Sequence, residues 1–195
     1  MARELHPAEN RGYRELYAYA RALADHWTSL ASRLGAGSPA AVTLEKGAAA
    51  ALDLFRELEP QTARYGLHAR PAAKSAGRGI AAMRRGRNPF MERGQALRFA
   101  VEEAQHVTTL LAYLAAVAES RSDTELAEFC RGWERKFKRH ESAARKAAVQ
   151  QGAEPDAAVE PLHSGPAGRA AHGLGYALGT FGEWVDSQAA RRRGP

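Results

Sequence analysis

Glu103 and His106 are the residues of this 195-residue chain whose types and spacing are best suited to chemistry. They lie three apart in LRFAVEEAQHVTTLLAYLAAVAES, a stretch with the apolar periodicity of an α-helix. At helical spacing Phe99, Glu103, His106, Leu110, Tyr113 and Val117 share one stripe. Most of that stripe is apolar, so the carboxylate and the imidazole fall on a face expected to point into a core. Glu102 instead aligns with Arg98, Gln105 and Thr109 on a polar face. An inward Glu-x-x-His pair on a bundle helix is the unit from which carboxylate–histidine metal sites are assembled. His140 is the third inward-facing candidate, because it continues the stripe Leu126, Cys130, Trp133 and Phe137. Asp25 and His26, beside Trp27, and Glu45 and Glu59, near the seam of another helix, are weaker additions. Such donors suit iron or manganese, and zinc less well. The competing reading is a metal-free hydrogen-bonded network, in which His140, Tyr113 or Asp25 partners the buried Glu103 and His106.

These residues need a scaffold, and the chain supplies one of helices. From about Ala8 to Leu34, the residues Leu16, Ala20, Leu23, Trp27, Leu30 and Leu34 repeat at spacings of four and three. Gly35-Ala-Gly37 stops that helix, and Ser38-Pro39 starts the next with a capping hydroxyl and a first-turn proline. Leu44, Ala48, Ala51, Phe55, Leu58, Thr62 and Tyr65 carry the second helix. Pro60 is expected to kink it or end it at Glu59. The third helix is expected over Gln95–Ser120. Ser122-Asp-Thr-Glu125 reads as a capping box that starts a fourth. Gly152 and Pro155 end the fourth helix, residues 151–166 read as a linker, and a glycine-rich helix is expected over Ala167–Ala190. With no strand-like alternation, the fold class is all-α, with residues 1–150 as the bundle.

The third and fourth helices follow a pattern with a known likeness. Ala100-Val-Glu-Glu103, His106, LLAYLAAVAES, a brief turn and LAEFCRGWERKFKRH ending at His140 resemble half of a ferritin-like, rubrerythrin-type four-helix bundle. The likeness covers residues 95–149. It implies an up-down bundle with a long crossover between helix pairs, a Glu from one helix and Glu-x-x-His from its partner, and two iron or manganese ions. It implies oxidoreductase chemistry as well. Phe137 stands three before His140, where the family has its carboxylate, so the implied dimetal site is incomplete.

The remaining features concern partners. The crossover, residues 66–94, holds His68, Arg70, Lys74, Arg78, Arg84, Arg85, Arg87 and Arg93 against a single acid, Glu92, with a short helix expected over Ala72–Met83. Arg84, Arg85 and Arg87, followed by Phe90, are the candidate anion-binding residues, with nucleic acid as one option for what they hold. Gly175, Gly179 and Gly182 on the last helix suit close packing against the bundle or a second subunit, which makes a homodimer the expected assembly. No apolar run is long enough to span a bilayer. The lone Cys130 and the absence of an apolar N-terminal leader lead us to expect a cytoplasmic protein. The net charge of +6 suits an acidic partner. Two functions stand at this stage: a ferritin-like metal protein using Glu103, His106 and His140, and a metal-free helical interaction protein that dimerises through the glycine-rich helix or binds an acidic partner through the basic crossover, residues 66–94.

Overall fold

The structure is a computed structural model, and it describes residues 4–69 and 91–162. Four long helices dominate it: α1 (Pro7–Leu34), α2 (Pro39–Ala63), α3 (Arg93–Ser120) and α4 (Thr124–Gly152). A single turn, α5 (Pro155–Ala158), follows. Among the described residues there is no strand, only one isolated bridge between Glu92 and Pro161. None of these helices is long and apolar enough to cross a membrane. The expected short helix over 72–83, the helix over 167–190 and the anion-binding Arg84, Arg85 and Arg87 lie outside the described residues.

Local chemistry sets each helix end. At α1, the His6 side chain accepts from the Ala8 amide (3.2 Å) while Glu9 reaches back to the His6 amide (2.9 Å), with Pro7 in the first turn. At α2, the Ser38 hydroxyl accepts from Ala41 N–H (3.2 Å). Two details differ from the sequence reading. The cap of α4 is Asp123, whose carboxylate accepts from Leu126 N–H, while Ser122 takes a positive φ of 59°. The helix starts one residue later than the Ser122–Glu125 spacing implies, so the carboxylate of Asp123 caps the Leu126 amide in place of a Ser122 hydroxyl on Glu125. Pro60 neither ends nor halts α2, which continues to Ala63. Pro60 is exposed in the last turn, where a missing N–H costs one hydrogen bond near the fraying end. Thr62 then closes the end by donating to Leu67 C=O (2.9 Å).

Helix α1 packs on α2 and α3, and α4 packs on the same two, so the order around the bundle is α1-α2-α4-α3. Arg64 and Tyr65 after α2 meet Glu125 and Asp123 at the start of α4, and Arg121 after α3 meets Glu9 at the start of α1. The start of α1, the end of α2, the end of α3 and the start of α4 therefore share one end of the bundle. The helices run up, down, down, up, and the chain passes between opposite ends from Leu67 to Met91. The stretch after α4, read from the sequence as a linker, folds back at the other end as far as Leu162. Arg93 N–H donates to Glu160 C=O and Leu162 N–H to Met91 C=O, both at 3.0 Å, and Leu162 and Met91 are buried.

The core follows the apolar seams. Leu16, Leu23, Trp27 and Leu30 of α1, Leu44, Leu54 and Leu58 of α2, Leu97, Leu111 and Leu114 of α3, and Leu126 and Phe137 of α4 are all buried. Gly47 lets α2 approach the Trp27 indole closely, since a Cβ there would sit 2.1 Å from Trp27 Cζ3.

Candidate functional site

Helix α3 buries Ala96, Ala100, Ala104, Val107, Leu111, Leu114, Ala115 and Ala118. That face is turned roughly one residue from the stripe read in the sequence. Glu103 lies on its edge and is only 4% exposed, whereas His106 is partly exposed and Tyr113 is exposed. The difference has a simple origin. The buried face mixes alanines with large apolar side chains, so no single stripe of large side chains marks it.

Glu103 meets α1. Its Oε2 accepts from Trp27 Nε1 (3.2 Å) and stands 2.7 Å from His26 Nδ1. With the carboxylate ionised, His26 donates from Nδ1. His26 is 8% exposed and its ring stands edge-on to Phe99, with centroids 5.9 Å apart. Trp27 is wholly buried, so its indole N–H requires an acceptor, and Glu103 is that acceptor. A carboxylate, an imidazole and an indole thus join two helices at residues 77 apart in the chain.

His106 belongs to a different arrangement. Its Nε2 lies 2.9 Å from Glu15 Oε1, and its ring stacks on Tyr19 with centroids 4.0 Å apart. The Glu-x-x-His unit is therefore split between two sets of α1 residues, Trp27 and His26 for the carboxylate and Glu15 and Tyr19 for the imidazole. His140, on α4, is half-buried against Phe137. Burial, and then neighbouring Arg139, lower its pKa from 6.5. Asp25 is exposed and pairs with Arg21 (3.4 Å), and Glu45 and Glu59 are exposed on α2. Among the described residues, no group of three or more His, Cys, Asp or Glu side chains is placed to hold a metal ion. The structure joins His26 to Glu103, and it brings none of the other candidates to that pair.

A second buried polar group closes the opposite end of the bundle. The Tyr13 hydroxyl lies 3.4 Å from Cys130 Sγ. Burial pushes the Cys130 thiol up to about 12, against a smaller lowering by the Tyr13 hydrogen bond, and burial raises Tyr13 too. Arg121 Nε stands 2.7 Å from the buried Glu9. Asp123 accepts from Tyr65 and from Leu126 N–H. Burial alone would raise the Asp123 carboxyl, but those hydrogen bonds, with Arg64 and Arg121, hold it below 3.8. In the sequence Asp123 and Cys130 stood out only as parts of a capping box and of the α4 seam, and nothing there marked Tyr13, Glu9 or Arg121.

No family model, no curated protein and no solved structure matches this chain. Fold and site therefore define it on their own terms. Its described residues form four long helices and no strand, and they bury a carboxylate held by an imidazole and an indole N–H.

Proposed function

We propose that this chain is a metal-free helical interaction protein of ferritin-like topology, which binds an acidic segment of a partner protein through the outer face of α4. The topology rests on the up-down-down-up order and the end-to-end passage between α2 and α3. The metal-free part rests on the donor set. Glu103 Oε2 already receives Trp27 Nε1–H, a group with a proton and no lone pair to offer a cation, and His26 Nδ1 turns its proton to the same oxygen. His106 and His140 stand elsewhere, so these residues do not fit a dinuclear centre.

The observation that carries the binding function is on α4. Arg135, Arg139, Arg145 and Lys146 are exposed, fall within about a third of the helix circumference, and make no ion pair among the described residues. Their neighbours are occupied: Arg131 pairs with Glu119, Lys138 with Glu134 (2.7 Å), and Lys136 lies over the Trp133 ring (3.9 Å). Val149, 69% exposed, adjoins the cations and adds an apolar contact. Glu128, Glu134 and Glu141 flank the stripe, which suits a discrete acidic helix better than a continuous phosphate backbone.

Two measurements test this. Metal content per chain, on protein without a histidine tag, should be far below stoichiometric after exposure to iron or manganese. Stoichiometric metal that Glu103→Ala removes would sink the metal-free reading. Fluorescence anisotropy with a labelled amphipathic Glu/Leu peptide should show binding that weakens with salt. Reversing the four cations (R135E, R139E, R145E and K146E) should weaken it at least tenfold. Equal affinity of wild type and variant, or tighter binding to a short single-stranded oligonucleotide, would refute the acidic-protein partner.

A further inference from the structure

A groove of about 460 Å³ opens between the first half of α1 and the middle of α3, away from both the Glu103 link and the basic face of α4. Its size falls in the range of small-molecule sites, about 300–1,000 Å³. Its floor is apolar. Gly12 has no side chain there because a Cβ would lie 2.8 Å from Leu114 Cδ2, so α1 and α3 approach closely and Leu110 fills the base. Three side chains with unused capacity stand around it. Arg11 is exposed and has no ion pair among the described residues. Tyr113 is 48% exposed on the rim, and its hydroxyl makes no hydrogen bond among the described residues. Glu15 has one oxygen, Oε1, held by His106, which leaves Oε2 for another donor.

Arg11 and Glu15 are four residues apart, and so are neighbours on one face of α1. They do not pair with each other, because His106, fixed by its stack on Tyr19, takes the carboxylate. The groove therefore presents a guanidinium and a carboxylate side by side over an apolar floor, with a phenol ring at the edge. We infer that it binds a small zwitterion with an aromatic or bulky apolar body, of which a free α-amino acid is the simplest case. The ligand carboxylate meets Arg11 in a fork-to-fork pair. Its ammonium meets Glu15, and its side chain lies on Leu110 and Gly12 beneath the Tyr113 ring. His106 is a positioning residue that sets the Glu15 carboxylate.

Isothermal titration with three probes reads each contact separately: L-phenylalanine, phenylacetate and phenethylamine. L-Phenylalanine should saturate and bind at least fivefold more tightly than either half-charged probe. Arg11→Gln should cost L-phenylalanine and phenylacetate at least fivefold and leave phenethylamine unchanged. Glu15→Gln should do the converse, and Tyr113→Ala should weaken all three. These side chains are at the surface, and unchanged thermal melts check that the variants fold. Absence of saturable L-phenylalanine binding overturns the inference. So does binding that Arg11→Gln and Glu15→Gln leave unaltered, or phenylacetate binding as tightly as the amino acid.

Discussion

Replacing Gly47 by alanine should destabilise the protein, although glycine in a helix interior is ordinarily a liability. Removing Gly47 from the interior of α2 recovers about 1 kcal/mol of helix propensity. The new Cβ, however, would stand 2.1 Å from Trp27 Cζ3 and 2.5 Å from Cε3, inside any tolerable contact. The indole cannot yield easily. It is a rigid ring, wholly buried, with its N–H tied to Glu103. The overpacking term therefore belongs at the upper end of its usual range, about 3 kcal/mol. The net expectation is a loss of about 2 kcal/mol, or about 4–8 °C in melting temperature for a chain of this size. Gly132, in the interior of α4, is the matched control, because a Cβ there meets nothing within 4 Å. Gly132→Ala should stabilise by up to about 1 kcal/mol. Urea denaturation of both variants measures the difference. In a Trp27→Leu background the Gly47→Ala penalty should largely vanish, a coupling that a double-mutant cycle reads directly. If Gly47→Ala matches or exceeds wild-type stability, α2 does not lie on the Trp27 ring, and the setting of the indole toward Glu103 is wrong with it.

Two further outcomes follow from the titrating groups. Stability should fall on acidification in two ranges. His140 has a folded pKa below its ordinary 6.5, so the unfolded chain takes up its proton first and stability declines as pH drops through 6.5 toward the folded value. Asp123 has a folded pKa below 3.8, so its contribution is complete above 3.8 and is lost as pH falls through the folded value. Urea midpoints against pH should lose the upper slope in His140→Gln and the lower one in Asp123→Asn; unchanged profiles would contradict both settings. Cys130, with its thiol pushed up to about 12 and no exposure, should resist Ellman's reagent at pH 8 in the native protein and react promptly in urea. Rapid native labelling would contradict its burial against Tyr13.

Much of the scaffold was legible locally. The α1 seam of Leu16, Ala20, Leu23, Trp27 and Leu30 is buried, with Leu34 at its end partly so, and the α4 seam of Leu126, Cys130, Trp133, Phe137, Ala144 and Ala147 is buried around a half-exposed His140. In both, large side chains at three- and four-residue spacing leave one choice of inner face. The Ser38-Pro39 start of α2 was equally plain, because a cap is a contact within one turn. Helix α3 was harder. Its buried face mixes alanines with Leu97, Val107, Leu110, Leu111 and Leu114, so no single stripe of large side chains marks it, and Phe99, His106 and Tyr113 looked inward by periodicity while they lie on the flank. Pro60 did not end α2 at Glu59, because the cost of a helical proline depends on how near the end it sits.

Among the described residues, composition and periodicity by themselves determined an all-α arrangement of four long helices, their approximate limits and most of the inner residues, since helix formation and amphipathicity are properties of neighbours in sequence. The tertiary structure alone decided which α1 side chains meet Glu103 and His106, that the two part company, and that Arg11 and Glu15 flank a groove. Those contacts depend on the rotation and height of one helix against another. Packing of whole faces sets both, and no local spacing encodes them.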